Sequence, residues 1–156
     1  MDARKGDALE IDELCIRKKG SLWLWMVRSR KNGQILAAVM GNRSGVMLER
    51  LWQKVPLSYR RKLVYTDGYE VYVSFFPAWQ HRISNKRDGR TNRIEGANTL
   101  FRARVSGLVR RSCGVCAKRV LDVWQRFLLV KHEHNRKCQQ QQERKEREPA
   151  TTLKRP

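Results

Sequence analysis

The alternation of apolar and polar positions predicts three consecutive strands in the first third of the chain. Three segments of strand length are dominated by apolar and β-favouring residues: 8–16, 21–29 and 34–40. Gly20 and Gly33 end the two short polar stretches between these segments, and Asn32-Gly33 is a hairpin signal. We therefore expect an antiparallel meander joined by tight turns.

After residue 43 the apolar spacing changes to that of an amphipathic helix. The apolar positions on its expected inner face are Val46, Leu48, Leu51, Trp52 and Val55. Ser44 is a suitable N-cap, and Pro56 stands near the expected end. Residues 62–66 then form a short strand ending at Asp67-Gly68. A strand reached through a helix usually lies parallel to an earlier strand.

The second half of the chain is predicted to be mostly helical. Residues 69–76 indicate a short helix, 82–93 a polar loop, and a helix begins near Asn92. Its expected inner face comprises Ile94, Asn98, Phe101, Val105 and Leu108. A last helix has its apolar face at Val120, Val123, Trp124, Phe127 and Leu128. We assign 1–134 to one domain and expect the charged, Gln-rich tail 135–156 to be disordered, with extension of the last helix into its start as the alternative.

This order of elements predicts an α/β fold of the ribonuclease H-like kind. Three antiparallel strands are followed by parallel strands with flanking helices, and a basic tail ends the chain. Many functions use such folds, so the fold alone does not decide the activity.

The charge of the chain indicates a polyanionic partner. There are 34 Lys and Arg against 15 Asp and Glu, a net charge of +19. Basic side chains that neutralise phosphates release counterions, so DNA or RNA is favoured over an anionic membrane, and a merely basic protein is the alternative. No apolar run approaches the roughly 20 residues of a bilayer span. Four Cys without a secretion signal indicate reduced thiols and a cytoplasmic, nucleoid-associated protein.

Three acidic residues are candidates for one catalytic site. Asp12 lies in the middle of the first strand, Asp67 at the end of a parallel-type strand, and Glu95 near the start of a helix. Ligands of open α/β sheets bind beyond the carboxyl ends of strands. Each acid also has a structural interpretation: an edge-strand surface residue, a turn, and a first-turn acid favoured by the helix dipole.

A cluster of three carboxylates would need divalent cations to neutralise it. Hard oxygen ligands select Mg²⁺ or Mn²⁺. Two such ions about 4 Å apart activate water and stabilise the leaving oxygen in phosphodiester cleavage.

The residues around these acids resemble the transposases of the insertion sequence 1 family. The first block is Ile11-Asp12-Glu13-Leu14 with Trp23-Leu24-Trp25. The second block is Thr66-Asp67-Gly68-Tyr69 with Tyr72. The third and most specific block is Thr91-Asn92-Arg93-Ile94-Glu95, followed by Asn98, Arg102, Arg104, Leu108 and Arg110. The resemblance runs from about residue 9 to residue 130.

The resemblance implies that Asp12, Asp67 and Glu95 form a metal-binding catalytic triad. The implied chemistry is metal-dependent cleavage at transposon ends and transfer of the 3′-hydroxyl to target DNA. Asp12 and Asp67 would each bind metal, and Glu95 would complete the second site. Cys15 stands where the family usually has Trp, and Gly96 where it usually has a polar residue. The stretch from His81 to Glu95 is a few residues longer than usual.

Full-length relatives carry a zinc-ribbon and helix-turn-helix region before the first acid, whereas 11 residues precede Asp12 here. The resemblance therefore implies a catalytic part that works with an upstream-frame DNA-binding protein, or a truncated, inactive copy. Because transposases often synapse two DNA ends as oligomers, a homodimer is a further expectation.

Basic residues near the third block are candidates for DNA contact. They are Arg93, Arg102, Arg104, Arg110, Arg111, Lys118 and Arg119. A solvated basic face is the alternative.

Cys113 and Cys116 stand in a Cys-x-x-Cys spacing, but the later His132, His134 and Cys138 are loosely spaced, so we do not expect zinc. His81 either orients a phosphate or packs beneath the loop. Trp23, Trp25 and Trp52 are expected in the core.

Two other functions compete with a transposase at this stage. One is a non-catalytic DNA-binding remnant or regulator of transposition that has kept the fold. The other is a ribonuclease H-like nuclease or resolvase, which would use the same site chemistry. In the sequence, only the match to the third block separates it from a transposase.

Overall fold

The computed structural model describes residues 6–17, 22–84, 92–105 and 119–147. The strands are β1 (Leu9–Arg17), β2 (Leu22–Ser29), β3 (Ile35–Gly41), β4 (Val64–Thr66) and β5 (His81–Ile83). The helices are α1 (Gly45–Gln53), α2 (Glu70–Phe75), α3 (Asn92–Arg104) and α4 (Val120–Arg147), with a 3-10 turn at Leu57–Tyr59.

The five strands form one sheet in the order β3-β2-β1-β4-β5. β2 pairs antiparallel with both β1 and β3, whereas β4 pairs parallel with β1 and β5. The predicted meander and the parallel return through α1 are therefore confirmed. A mixed five-stranded sheet flanked by helices is the predicted ribonuclease H-like α/β fold.

The side chains of β1 alternate between two apolar layers. Leu9 and Ile11 pack with Trp25, Leu48 and other residues in the layer beneath α1 and α2. On the opposite face, Leu14, Ile16, Phe101 and Phe127 belong to the layer beneath α3 and α4. Because successive strand residues point to opposite faces, Asp12 must face α3 and Glu13 must face α1 and α2.

Most of the predicted core positions are confirmed, but Val46 of α1 and Leu128 of α4 are exposed. Trp25 is fully buried, and Trp23 and Trp52 pack against its layer. The predicted inner face of α3 is buried at Ile94, Asn98, Phe101 and, just after the helix, Val105. Leu108 lies outside the described residues. Gly33 adopts a φ of 77°, the left-handed conformation that its hairpin requires.

The expected disorder from residue 135 is wrong for residues 135–147, which continue α4. Asn135 accepts a hydrogen bond from the Ile35 amide (2.8 Å) and donates one to the Ile35 carbonyl (2.9 Å). This side chain therefore satisfies backbone groups on the outer edge of β3, which would otherwise lack partners. Gln, Glu, Lys and Arg are also strong helix formers, so the polar composition does not oppose a helix.

The predicted loop over 82–93 is wrong at its start, because residues 81–83 form β5. The predicted helix start near Asn92 is confirmed by α3. β5 has only three residues, and Arg82 and Ile83 are exposed, so it has no apolar alternation from which a strand could be predicted. In the described part of the chain, no helix has the length and apolarity to cross a membrane.

Candidate active site at the carboxyl ends of the parallel strands

Asp12 and Asp67 come together because β1 and β4 are parallel. Leu9 pairs with Val64 and Glu10 with Tyr65, so the same register continued by two residues puts Asp12 level with Asp67. Paired residues of adjacent strands point to the same side of a sheet. The charge of Asp67 accordingly contributes to the raised pKa of Asp12. The two predicted aspartates are therefore neighbours.

The carboxyl group of Asp12 is in surroundings that disfavour its charge. Burial, the neighbouring charge of Glu13 and the charge of Asp67 raise its pKa to about 7. The Glu13 amide donates to Oδ1 (2.9 Å), and Asn98 Nδ2 on α3 donates to Oδ2 (2.6 Å). These two hydrogen bonds favour the carboxylate, but they do not outweigh the burial and the like charges. A cation at this position would relieve the excess negative charge.

Asp67 lies in the exposed turn that follows β4. Its Oδ1 accepts a hydrogen bond from the Tyr69 amide (3.0 Å), and Thr66 Oγ1 donates to its backbone carbonyl (2.7 Å). An aspartate that bonds the amide two residues on stabilises its own turn. The turn thus fixes a solvent-accessible carboxylate at the end of a parallel strand, where a ligand can reach it.

Glu95 lies in α3, three residues before Asn98. Because Asn98 bonds Asp12 directly, the first turns of α3 run across the sheet face that carries Asp12. The side chain of Glu95 lies outside the described part of the chain, so its role as a third ligand remains a prediction. Among the described side chains, no three His, Cys, Asp or Glu groups are placed to hold a metal together.

A second polar cluster lies on the opposite face of the sheet, directly beside these aspartates. Glu13 is only 2% exposed and accepts from Arg43 Nε (2.7 Å) and Nη2 (2.5 Å) through one oxygen. The hydroxyl of Tyr72 donates to its other oxygen. Burial and the charge of Glu13 raise the pKa of Tyr72 well above its usual value, so the phenol stays protonated as the donor.

Arg43 and Tyr69 connect this cluster to the Asp67 turn. The Arg43 guanidinium lies 3.9 Å from the ring centroid of Tyr69 and 4.7 Å from that of Trp23. The Tyr69 hydroxyl donates to the Arg43 carbonyl (3.2 Å). Arg43 was not among the residues predicted from the sequence, although a buried acid at Glu13 requires a basic or hydroxyl partner from the layer that it faces.

The predicted DNA contacts are only partly described. Arg102 is half-buried in α3, Arg104 pairs with Glu133 of α4 (3.3 Å), and Arg119 is exposed. The side chain of Arg93 lies outside the described residues, as do Arg110, Arg111 and Lys118 entirely. None of these contacts is therefore established by the fold alone.

The remaining sequence candidates have more ordinary environments. His81 Nε2 lies 2.7 Å from Thr66 Oγ1, and its ring packs 5.8 Å from that of Phe76. Burial and the nearby Arg82 lower its pKa. His134 and Cys138 lie 3.5 Å apart on α4, and within the described ranges no further metal-binding side chain joins them. Cys113 and Cys116 lie outside the described residues.

Comparison with known proteins adds one finding to this geometry. A family model described as IS1 transposase matches residues 10–146, which is most of the chain and includes all three candidate acids. No curated protein matches the chain.

Proposed function

Because the chain belongs to the IS1 transposase family, we propose that it catalyses metal-dependent cleavage and strand transfer of DNA, with Asp12, Asp67 and Glu95 as its catalytic residues. The observation that carries this proposal is the parallel pairing of β1 and β4, together with the electrostatic coupling between Asp12 and Asp67 near the carboxyl ends of these strands.

The donor set fits Mg²⁺ or Mn²⁺. Asp12 and Asp67 supply hard carboxylate oxygens, and the pKa of Asp12 is raised to about 7 by burial and by the neighbouring acids. Among the described residues, no basic side chain forms an ion pair with Asp12 or Asp67. Acids held close together without a direct ion pair favour a divalent cation with oxygen ligands.

Each residue has a distinct role in this proposal. Asp12 would lie between the metal sites, with Asn98 holding one of its oxygens (2.6 Å) and thereby fixing the orientation of the carboxylate. Asp67 would bind from the β4 turn, and Glu95 from α3 would complete the second site. Bound metal would supply an activated nucleophile and stabilise the leaving oxygen.

DNA is the proposed substrate, at both the element ends and the target. A net charge of +19 favours a phosphate polymer. Of the predicted DNA contacts, Arg119 is exposed, whereas Arg104 pairs with Glu133.

The proposal is tested by strand cleavage of element-end DNA in Mg²⁺ or Mn²⁺. Asp12→Asn, Asp67→Asn and Glu95→Gln should each reduce cleavage by at least about a hundredfold, because each removes a metal ligand. Glu49→Gln, which changes an exposed acid on α1, should leave the rate unchanged. Cleavage that survives Asp12→Asn combined with Asp67→Asn would refute the mechanism, and DNA binding without any cleavage would favour the non-catalytic alternative.

A further inference from the structure

Arg43 lies beside the proposed active site, and the chemistry above assigns it no role. It follows β3, and β3 runs in the same direction as β1 and β4 because β2 is antiparallel to β3 and β1. The carboxyl end of β3 therefore lies at the same edge of the sheet as Asp67. Tyr69, two residues after Asp67, contacts Arg43 through both its ring and its hydroxyl group.

The guanidinium of Arg43 is held on three sides. The rings of Trp23 and Tyr69 lie 4.7 Å and 3.9 Å from it. Glu13, which is almost fully buried, accepts from Nε and Nη2. A planar cation fixed in this way loses little conformational entropy when it binds a further ligand.

One edge of this guanidinium remains open. The Arg43 side chain is 36% exposed. Within the described part of the chain, Nη1 has no hydrogen-bond or ion-pair partner, since the Glu13 contacts engage Nε and Nη2. Nη1 thus presents two N–H donors to solvent, close to the exposed turn of Asp67.

We infer that Arg43 binds a phosphate of the DNA strand that enters the active site. The inference rests on the proposed function, because it takes DNA as the substrate. A site built from clustered acids repels the phosphates that it must approach, and a guanidinium fixed beside the acids offsets that repulsion. Arginine presents N–H donors in a planar array that suits phosphate oxygens. Glu13 orients the Arg43 guanidinium and leaves Nη1 available to the phosphate.

The competing explanation is that Arg43 only supports the fold. In that case it would hold Tyr69, and through Tyr69 the Asp67 turn, without touching DNA. The two explanations differ in one measurable respect: a phosphate contact contributes to DNA affinity in the absence of metal and of catalysis, and a supporting contact does not.

The test is the binding of a short fluorescent DNA duplex in EDTA, measured by anisotropy over a series of NaCl concentrations. Arg43→Gln should weaken binding roughly tenfold at low salt, as expected for a charged hydrogen bond. It should also reduce the slope of log affinity against log salt by about 1, because one phosphate contact is lost. Arg43→Lys should keep most of the slope, because the charge remains.

The matched control is Arg61→Gln. Arg61 is an exposed arginine in the turn before β4, at the opposite end of that strand from Asp67. Its replacement removes the same charge and should change neither the affinity nor the slope. Circular dichroism of each variant checks that the fold is kept. If Arg43→Gln does not fold, the DNA affinity of Arg43→Lys still tests the contact: loss of the planar donor array should weaken binding several-fold, whereas a supporting role predicts wild-type affinity.

Wild-type affinity and slope in a folded Arg43→Gln would overturn the inference, even if that variant lost cleavage activity, because Arg43 would then act only as a support. Failure of the proposed function would look different. A wild-type chain that cleaves no DNA would refute the transposase chemistry, while the metal-free binding difference between Arg43→Gln and Arg61→Gln would still be measurable.

Discussion

The surroundings of Asp12 raise the pKa of its carboxyl group from 3.8 to about 7. Burial is the largest cause of its raised pKa, and the charges of Glu13 and Asp67 add to it. Asp12 and Asp67 could be chosen from the sequence, Asp12 because a carboxylate within a strand requires a partner and Asp67 because it follows a parallel-type strand. Each also had a structural interpretation, and the family resemblance decided between them. Arg43 could not be chosen in this way, because its partners Glu13, Trp23 and Tyr69 come from β1, β2 and the β4 turn.

The stability of the metal-free chain should therefore depend on the protonation of Asp12. Its pKa of about 7 in the folded chain lies above the ordinary 3.8, so the folded state binds a proton that the unfolded state has released. The free energy of unfolding then falls as the pH rises from about 4 to about 7, and the full loss is present above that range. Asp12→Asn removes this dependence and should raise the melting temperature at pH 8 by a few degrees.

Thermal unfolding in EDTA at pH 4 and pH 8 measures this difference. The melting temperatures of Asp12→Asn and wild type should agree at pH 4 and diverge at pH 8, whereas Glu49→Gln should match wild type at both. A pH-independent difference between Asp12→Asn and wild type would contradict the assignment.

At the scale of elements, apolar periodicity was sufficient to predict the strands and helices that have a continuous buried face. β1, β2, β3, α1 and α3 lie within a few residues of their predicted positions. The extension of α4 was not predictable from the same signal, because after Phe127 the helix is held mainly by polar contacts. Asn135 and His134 bond backbone groups of Ile35 and Gly33 that lie a hundred residues earlier, and no local pattern encodes such pairing.

Asn135→Ala should locally loosen the edge of β3. The substitution removes both hydrogen bonds to Ile35, and the stability of the chain should fall by about 1 to 2 kcal/mol. Hydrogen exchange of the Ile35 amide should become faster, since that amide would be left to water. Gln139→Ala, which removes an exposed side chain from the same helix, is the control and should leave this exchange rate unchanged. Slow exchange of Ile35 in Asn135→Ala would show that α4 does not protect this edge.

At the scale of the whole molecule, two separate polar systems lie on the two faces of one sheet edge. Asp12 faces α3, and Glu13 with Arg43 faces α1 and α2. Because successive residues of a strand point to opposite faces, the side chains of Asp12 and Glu13 lie on opposite sides of the sheet. They therefore contact different side chains. The family blocks in the sequence identified which acids belong together, whereas the parallel register of β1 and β4 supplies the physical reason for two of them. The assignment of the third acid, Glu95, depends on its position in α3.

A metal ion shared by Asp12 and Asp67 should be detectable by titration with Mn²⁺, followed by calorimetry or electron paramagnetic resonance. Each of Asp12→Asn and Asp67→Asn should weaken Mn²⁺ binding at least about tenfold, and the double variant should be little weaker than either single variant, because both remove one shared site. Wild-type Mn²⁺ affinity in either single variant, or losses that simply add in the double variant, would contradict a shared metal site.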